Sequence, residues 1–342
     1  MTNQTMVQDE AVAEISGMLE SLADGFRQSQ VLIAAVELGV FEALRTPRSG
    51  VDLCRELDLH PAAARDFLDC LVGLELLDRS GDTEVEYVNT TASELYLTRD
   101  SAHFIGSDLI SRVRRSYRHW DSLVDALRTA EPQNERRDGY HAVPSFDTAL
   151  CRRVFTFDAI AETLVVSPGT WWSVIDTPDA ALSIAIARWH PDSVGTAIVS
   201  PGAAESARGH VIAAGLEGRV TVASCDVLTD PLPPTEWCVV AAGLRGYTPV
   251  ERSTLLRRLR SARPADGTVL VIDDVVDDDR RGSAAALMSA LDALIEGAPC
   301  LGYTAAEFDQ WSRDAGFAGT EITPVTDATS IGVAYLGEPA DG

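Results

Sequence analysis

Lysine is absent from this 342-residue chain. Its 28 basic side chains are therefore all arginines, and they face 52 aspartates and glutamates for a formal net charge of −24. Without lysine there is no Schiff base, no lysine-held pyridoxal phosphate and no P-loop lysine. The negative balance repels polyanions, which sets nucleic acid aside as a partner. Long apolar runs are missing as well: none approaches the roughly 18 residues of a membrane span, so no membrane partner is expected. The opening "MTNQTMVQDEAVAE" has no basic region followed by an apolar stretch, so no signal peptide is read and a cytoplasmic location is expected. The cysteines (Cys54, Cys70, Cys151, Cys225, Cys238, Cys300) form no CxxC pair and no metal-ligand spacing, which reads as reduced thiols. The acidic run Asp273–Asp279 has no accompanying His or Cys cluster and reads as a solvated face, so no metal is expected. No Gly-x-Ser-x-Gly elbow supports a nucleophilic hydrolase.

What is present comes in a readable order. "GFRQSQVLIAAVELGVFEALR" carries apolar residues at helical spacing. "VDLCRELDL" and "HPAAARDFLDCLVGLELL" read as two further helices, and "DRSGDTEVEYVNT" as a hairpin turning at Ser80-Gly81-Asp82. That is a winged-helix arrangement. Its would-be recognition helix sets Arg65 against Asp66, Asp69 and Glu75, and its wing carries Asp82, Glu84 and Glu86. A phosphate-binding face must be basic, so this module is read as one that packs against protein.

From Ser101 to Pro168 the pattern is helical, interrupted by "EPQNERRDGYHAVPSF". After it the period changes. "WSVID", "GTAIVS", "RVTVASCD", "WCVVAAGL" and "TVLVIDDV" alternate with helices, which predicts a parallel sheet covered on both faces. "TEITPVTD" and "SIGVAYLGE" are separated only by "ATS", so one of these last two strands runs antiparallel.

This order resembles the S-adenosylmethionine-dependent O-methyltransferases, most closely the bacterial natural-product members related to the plant small-molecule enzymes. The likeness runs from Gly25 to Gly337 and is carried by "SQVLIAAVELGVFEAL", "ARWHPD", "AAGLEGRVTVASCDV" and "PADGTVLVIDDVV". It implies an α/β fold: a Rossmann-like class I methyltransferase domain over 169–342, with a seven-stranded sheet ending in an antiparallel hairpin. Ahead of it are expected a disordered leader (1–20), an α-helical winged-helix dimerisation domain (21–100) and a helical connector lining the substrate pocket (101–168). A homodimer acting on a small aromatic or polyketide-like molecule is implied.

Against the family's pattern the chain departs where the chemistry sits. The cofactor loop after the first strand is glycine-rich in the family, since glycine lets the backbone wrap a ligand. Here Asp176 is followed by Thr177-Pro178-Asp179-Ala180-Ala181, in a loop two residues short. The ribose-binding acid falls on Val199, while the acid near the adenine is kept as Asp226. Arg245 stands where the family has its histidine base, with Tyr247 at the aromatic position. An arginine stays protonated and takes no proton from a phenol. The helper acid falls on Asp273 or Asp274, one methylene shorter than glutamate.

These losses together lead to an expectation: Asp176, Asp179, Val199 and Asp226 mark a vestigial cofactor site, and no cofactor is bound. The enzyme would then catalyse a cofactor-independent cyclisation, rearrangement, isomerisation or elimination. His119 and His141 are the candidate acid/base groups, with Arg245 and Tyr247 as electrostatic partners. Tyr117, Trp120, Tyr140, Phe155, Phe157 and Asp158 would line the substrate pocket. His60 and His190, before prolines, are read as structural. Two other readings stay open: an O-methyltransferase with an unusual cofactor loop, and a non-catalytic partner of an active methyltransferase.

Overall fold

The computed structural model describes residues 3–81, 85–101, 103–129, 157–164, 166–241, 243–264, 267–282, 284–298, 302–325 and 329–335. The backbone divides into two units, Met1–Arg115 and Ser116–Gly342.

In the first unit, helix α1 (Asn3–Leu38) begins inside the stretch read as a leader and ends at Gly39, whose φ of 74° turns the chain into α2 (Val40–Ala43). Strand β1 (Arg48–Ser49) and helix α3 (Gly50–Glu56) follow. Helix α4 (Pro61–Gly73) starts at the His-Pro turn: the His60 ring accepts from the Ala62 N–H, and Pro61 sits where no N–H is needed. It buries Ala64, Leu68 and Leu71, one face of a 3.6-residue period. Strands β2 (Leu77–Ser80) and β3 (Glu86–Asn89) make the wing, and β3 lies centrally in the order β1-β3-β2. Helix α5 (Thr91–Leu97) is capped by Thr90. Helix α6 (Gly106–Trp120) crosses the division between the units.

The second unit holds α7 (Leu123–Thr129), β4 (Trp171–Ile175), α8 (Ala181–Trp189), β5 (Val194–Val199), α9 (Ala204–Ala213) and β6 (Val220–Ser224). Then come β7 (Trp237–Val240), α10 (Pro249–Ser261), β8 (Thr268–Asp273), α11 (Ala284–Ile295), α12 (Ala305–Asp314), β9 (Gly319–Pro324) and β10 (Ser330–Tyr335). The seven-stranded sheet has the order β6-β5-β4-β7-β8-β10-β9, and β10 is antiparallel to both its neighbours.

Alternation along each strand sorts the core into two layers. Trp172, Val174, Ala197, Val199 and Val239 pack with α8, α9 and the helical segment 157–163. Ile175, Ile198, Cys238, Val240 and Val271 face the other way, against α10 and α12. A sheet buried on both faces explains why its strands read as nearly continuous apolar runs. Strand order reverses between β4 and β7, so the crevice of this fold opens at their carboxyl ends.

Candidate active site

The first wall of the crevice is the loop after β4. Asp176 extends the ladder, its N–H donating to Ile198 O at 2.9 Å, while its carboxylate turns back onto the start of α8. Oδ1 accepts from the N–H groups of Thr177 (2.7 Å) and Leu182 (3.4 Å), and Oδ2 from that of Ser183 (2.8 Å). Asp179 Oδ1 accepts from the Thr177 hydroxyl and from the Ala181 N–H at 3.3 Å. Ala180 takes the left-handed conformation, φ 58° and ψ 31°. Burial lifts the Asp176 carboxyl to about 6; hydrogen bonds from Ser183 and Thr177 pull it down, and the charge of Asp179 adds to the rise.

The next two walls follow β5 and β6. Val199, assigned to the ribose position, lies instead in the core at 2% exposure. The residue after it, Ser200, is exposed at the strand end. Asp226 is half-buried; Oδ1 accepts from the Leu228 N–H at 2.9 Å. Its other oxygen takes no hydrogen bond among the described residues. Tyr247 packs against the α10 side of the core, and burial together with the charge of Asp226 raises its phenol above the ordinary value.

Arg245 is the centre of a buried network. Its Nε donates to Asp273 Oδ1 at 2.8 Å, Nη2 to Asp274 Oδ2 at 3.3 Å, and Nη1 to both Ser289 O and Ser289 Oγ at 3.1 Å. Asp273 Oδ2 also accepts from the Leu244 N–H and the Tyr303 hydroxyl, and Asp274 Oδ1 from the Thr329 hydroxyl. The two carboxylates hold the guanidinium above its ordinary value against the opposing effect of burial. A cation engaged this way is a tie between β7, β8 and α11: its charge is matched by two carboxylates of the protein and is not free to clamp a substrate. Ser289, Tyr303 and Thr329 carry no motif that would have marked them.

The helical residues fall into three groups. Trp120 ends α6 with its indole N–H on Asp292 Oδ1 at 2.5 Å, in a cluster with Leu123, Ala126, Leu291 and Ile295. His119, beside it, is half-buried in the last turn of α6, and Tyr117 is 48% exposed. Phe157 is a core residue at 1% exposure; with Asp158 it borders a 320 Å³ groove beside α8 and α9, shared with Asp179, Arg188 and His210. Tyr140, His141 and Phe155 lie outside the described residues.

Comparison with known proteins settles the lineage. The pattern of the O-methyltransferase dimerisation domain matches residues 20–99, and that of the O-methyltransferase domain matches 179–318. The tetracenomycin polyketide synthesis 8-O-methyl transferase TcmO of Streptomyces glaucescens is 30% identical over 326 residues, 93% of this chain and 96% of its own. The chain belongs to the O-methyltransferase family. The N,N-dimethyltransferase OxyT of Streptomyces rimosus is 32% identical to this family member over 78% of the chain and 80% of its own length. The structure of human N-acetylserotonin methyltransferase in complex with S-adenosylmethionine superposes with a TM-score of 0.79 at 24% identity, over 94% of this chain and 98% of that one; this likeness shows the fold.

Membership corrects the expectation of an enzyme without a cofactor. The relatives matched along most of the chain are methyltransferases by name, which overturns cofactor-independent cyclisation, rearrangement, isomerisation or elimination. The expected absence of S-adenosylmethionine falls with it. The step that failed is the one from missing glycines to a missing cofactor. Ala180 supplies the left-handed turn, and the side-chain oxygens of Asp176, Thr177 and Asp179 satisfy the N–H groups it exposes.

Proposed function

We propose that this protein transfers a methyl group from S-adenosylmethionine to a hydroxyl of an aromatic, polyketide-like small molecule, and that it does so as a homodimer. The observation that carries the reading is the likeness to TcmO along nearly the whole of both chains. The match to a dimerisation domain over residues 20–99 supports the assembly.

The side chains at the strand ends suit such a cofactor. Asp226 keeps one carboxylate oxygen without a hydrogen bond among the described residues, available to a nucleoside's N–H or hydroxyl donor. Asp226 and Ser200 would hold the cofactor's adenosine end. When bound, it supplies a methyl group activated by the sulfonium. The chain's own part is to orient the acceptor and take its proton. Arg245 takes no proton, and Tyr247, raised above the ordinary phenol value, stays protonated. His119 on the anchored end of α6 and His141 are the proposed bases.

The test is incubation with S-adenosylmethionine carrying an isotopically labelled methyl group and a panel of polyphenolic polyketides. Label in an acceptor hydroxyl supports the reading. No label in any acceptor, from folded protein that also gives no heat on titration with S-adenosylmethionine, overturns it.

A further inference from the structure

The first turn of α8 has no N–H left for a ligand. Ala181 N donates to Thr177 Oγ1 (3.2 Å) and Asp179 Oδ1 (3.3 Å), Leu182 N and Ser183 N donate to Asp176, and Ile184 N enters the helix ladder on Ala180 O. A helix N-terminus is otherwise a good seat for a carboxylate, through oriented N–H groups and the positive end of the helix dipole. In this chain the seat is filled from within, by two carboxylates on the residues that flank the turn. Asp176 is buried with both its oxygens engaged. Asp179 is half-buried and borders the groove beside α8, so its charge faces whatever approaches the loop.

We infer that Asp179, with Asp176 behind it, is a specificity determinant that denies the cofactor's amino-acid carboxylate the α8 N-terminus and leaves binding to the adenosine end. This rests on the methyltransferase reading above. A ligand carboxylate arriving here meets oxygen atoms in place of N–H groups, and like charge in place of a dipole's positive end. An adenosine group still meets Asp226 and the exposed end of β5, which the filled loop leaves untouched.

The inference is tested by calorimetric titration of the full-length protein at pH 8 with S-adenosylhomocysteine and with 5′-methylthioadenosine, which lacks the amino-acid tail. Both are neutral at sulfur, so they differ only in the tail. A single charge-assisted hydrogen bond to the tail's carboxylate would be worth more than about tenfold in affinity. Dissociation constants within tenfold of each other support the inference, and a preference beyond tenfold for the homocysteine compound overturns it. Asp179→Asn keeps a capping oxygen and removes the charge. It is expected to tighten S-adenosylhomocysteine about fivefold to tenfold by relieving a like-charge contact, with 5′-methylthioadenosine unchanged. Affinity for S-adenosylhomocysteine that does not rise in this variant removes Asp179 from the account. Where the variant does not fold, the two ligands on the unmodified protein decide alone. Failure of both nucleosides to bind protein with an intact melting transition overturns the methyltransferase reading itself.

Discussion

Arg245 Nε donates to Asp273 Oδ1 at 2.8 Å, joining the carboxyl ends of β7 and β8 inside the protein. Asp273 has no exposed surface, and Asp274 is almost as deep. Removing the cation leaves both carboxylates buried without their charge partner. Arg245→Ala is expected to cost about 3–5 kcal/mol of stability, the penalty of breaking a buried ion pair from one side. Urea unfolding at pH 7.5 measures it. A loss below about 1 kcal/mol would mean that the acids reach water on their own, as surface pairs do.

The same network explains one glycine. Gly243 has φ 70°, and a Cβ there would sit 2.1 Å from Asp273 Oδ2. That oxygen cannot withdraw, because the Leu244 N–H and the Tyr303 hydroxyl hold it. Gly243→Ala should therefore destabilise by about 2–5 kcal/mol, strain and overpacking together. Gly202→Ala is the matched control, with nothing within 4 Å of its added Cβ. Its melting temperature should stay within a degree or two of the parent, as surface changes do.

These two cases show how far the sequence was legible. The succession of strands along the chain and the antiparallel hairpin followed from period and spacing, because a sheet buried on both faces imposes a local pattern on every strand. An Arg245 pair with Asp273 was readable as one way to fill the place of a lost base, but the rest of the network was not, since Ser289, Tyr303 and Thr329 are far apart in the chain and marked by no motif. The loop after β4 misled in the other direction. Glycine's absence is visible in sequence, but Ala180's left-handed conformation depends on the Asp and Thr side chains that stabilise it. Val199, expected at the ribose position, is packed in the core, and a strand buried on both faces gives no alternation from which to read that.

Asp176 makes stability depend on pH in a predictable direction. Burial, opposed by hydrogen bonds, raises its carboxyl from 3.8 to about 6. The folded state therefore binds a proton more readily than the unfolded chain does. The contribution is full below the unfolded value and is lost as pH rises through the folded one. Compared with Asp176→Asn, the parent should gain about 2–3 kcal/mol as pH falls from 7.5 to about 4, at roughly 1.4 kcal/mol for each tenfold difference in proton affinity between the folded and unfolded chain. Denaturation of both proteins across that range measures the difference. A gap that stays constant with pH would place the carboxyl in contact with water.

Helix α1 carries an exposed apolar stripe at helical spacing: Ile15, Met18, Leu19, Leu22 and Phe26, each at least 45% exposed, with Leu22 at 72%. Contiguous apolar surface of this kind marks an interaction face. If it meets a second copy, Leu22→Asp should bury a charge at the centre of the contact and weaken the dimer by at least about tenfold, as changes to desolvated interface residues do. Sedimentation equilibrium reads the change. An unaltered dimer would move the interface elsewhere in the first unit.

His119 is one of the two histidines proposed above to take the acceptor's proton. It occupies the last turn of α6 next to Trp120, whose indole is fixed to Asp292 on α11, and α11 is fixed in turn to Arg245 through Ser289. The Trp120 bond holds the helix end that carries His119, and a proton acceptor needs a held position. His119→Ala should lower methyl transfer at least about a hundredfold while leaving the affinity for S-adenosylhomocysteine unchanged. Trp120→Phe removes the hydrogen bond to Asp292 and keeps an aromatic ring, so it should lower turnover by a smaller factor. Equal turnover in the parent and His119→Ala would shift the proton's destination to another group. A pH profile that then tracks the acceptor's own ionisation would show that the hydroxyl arrives already ionised.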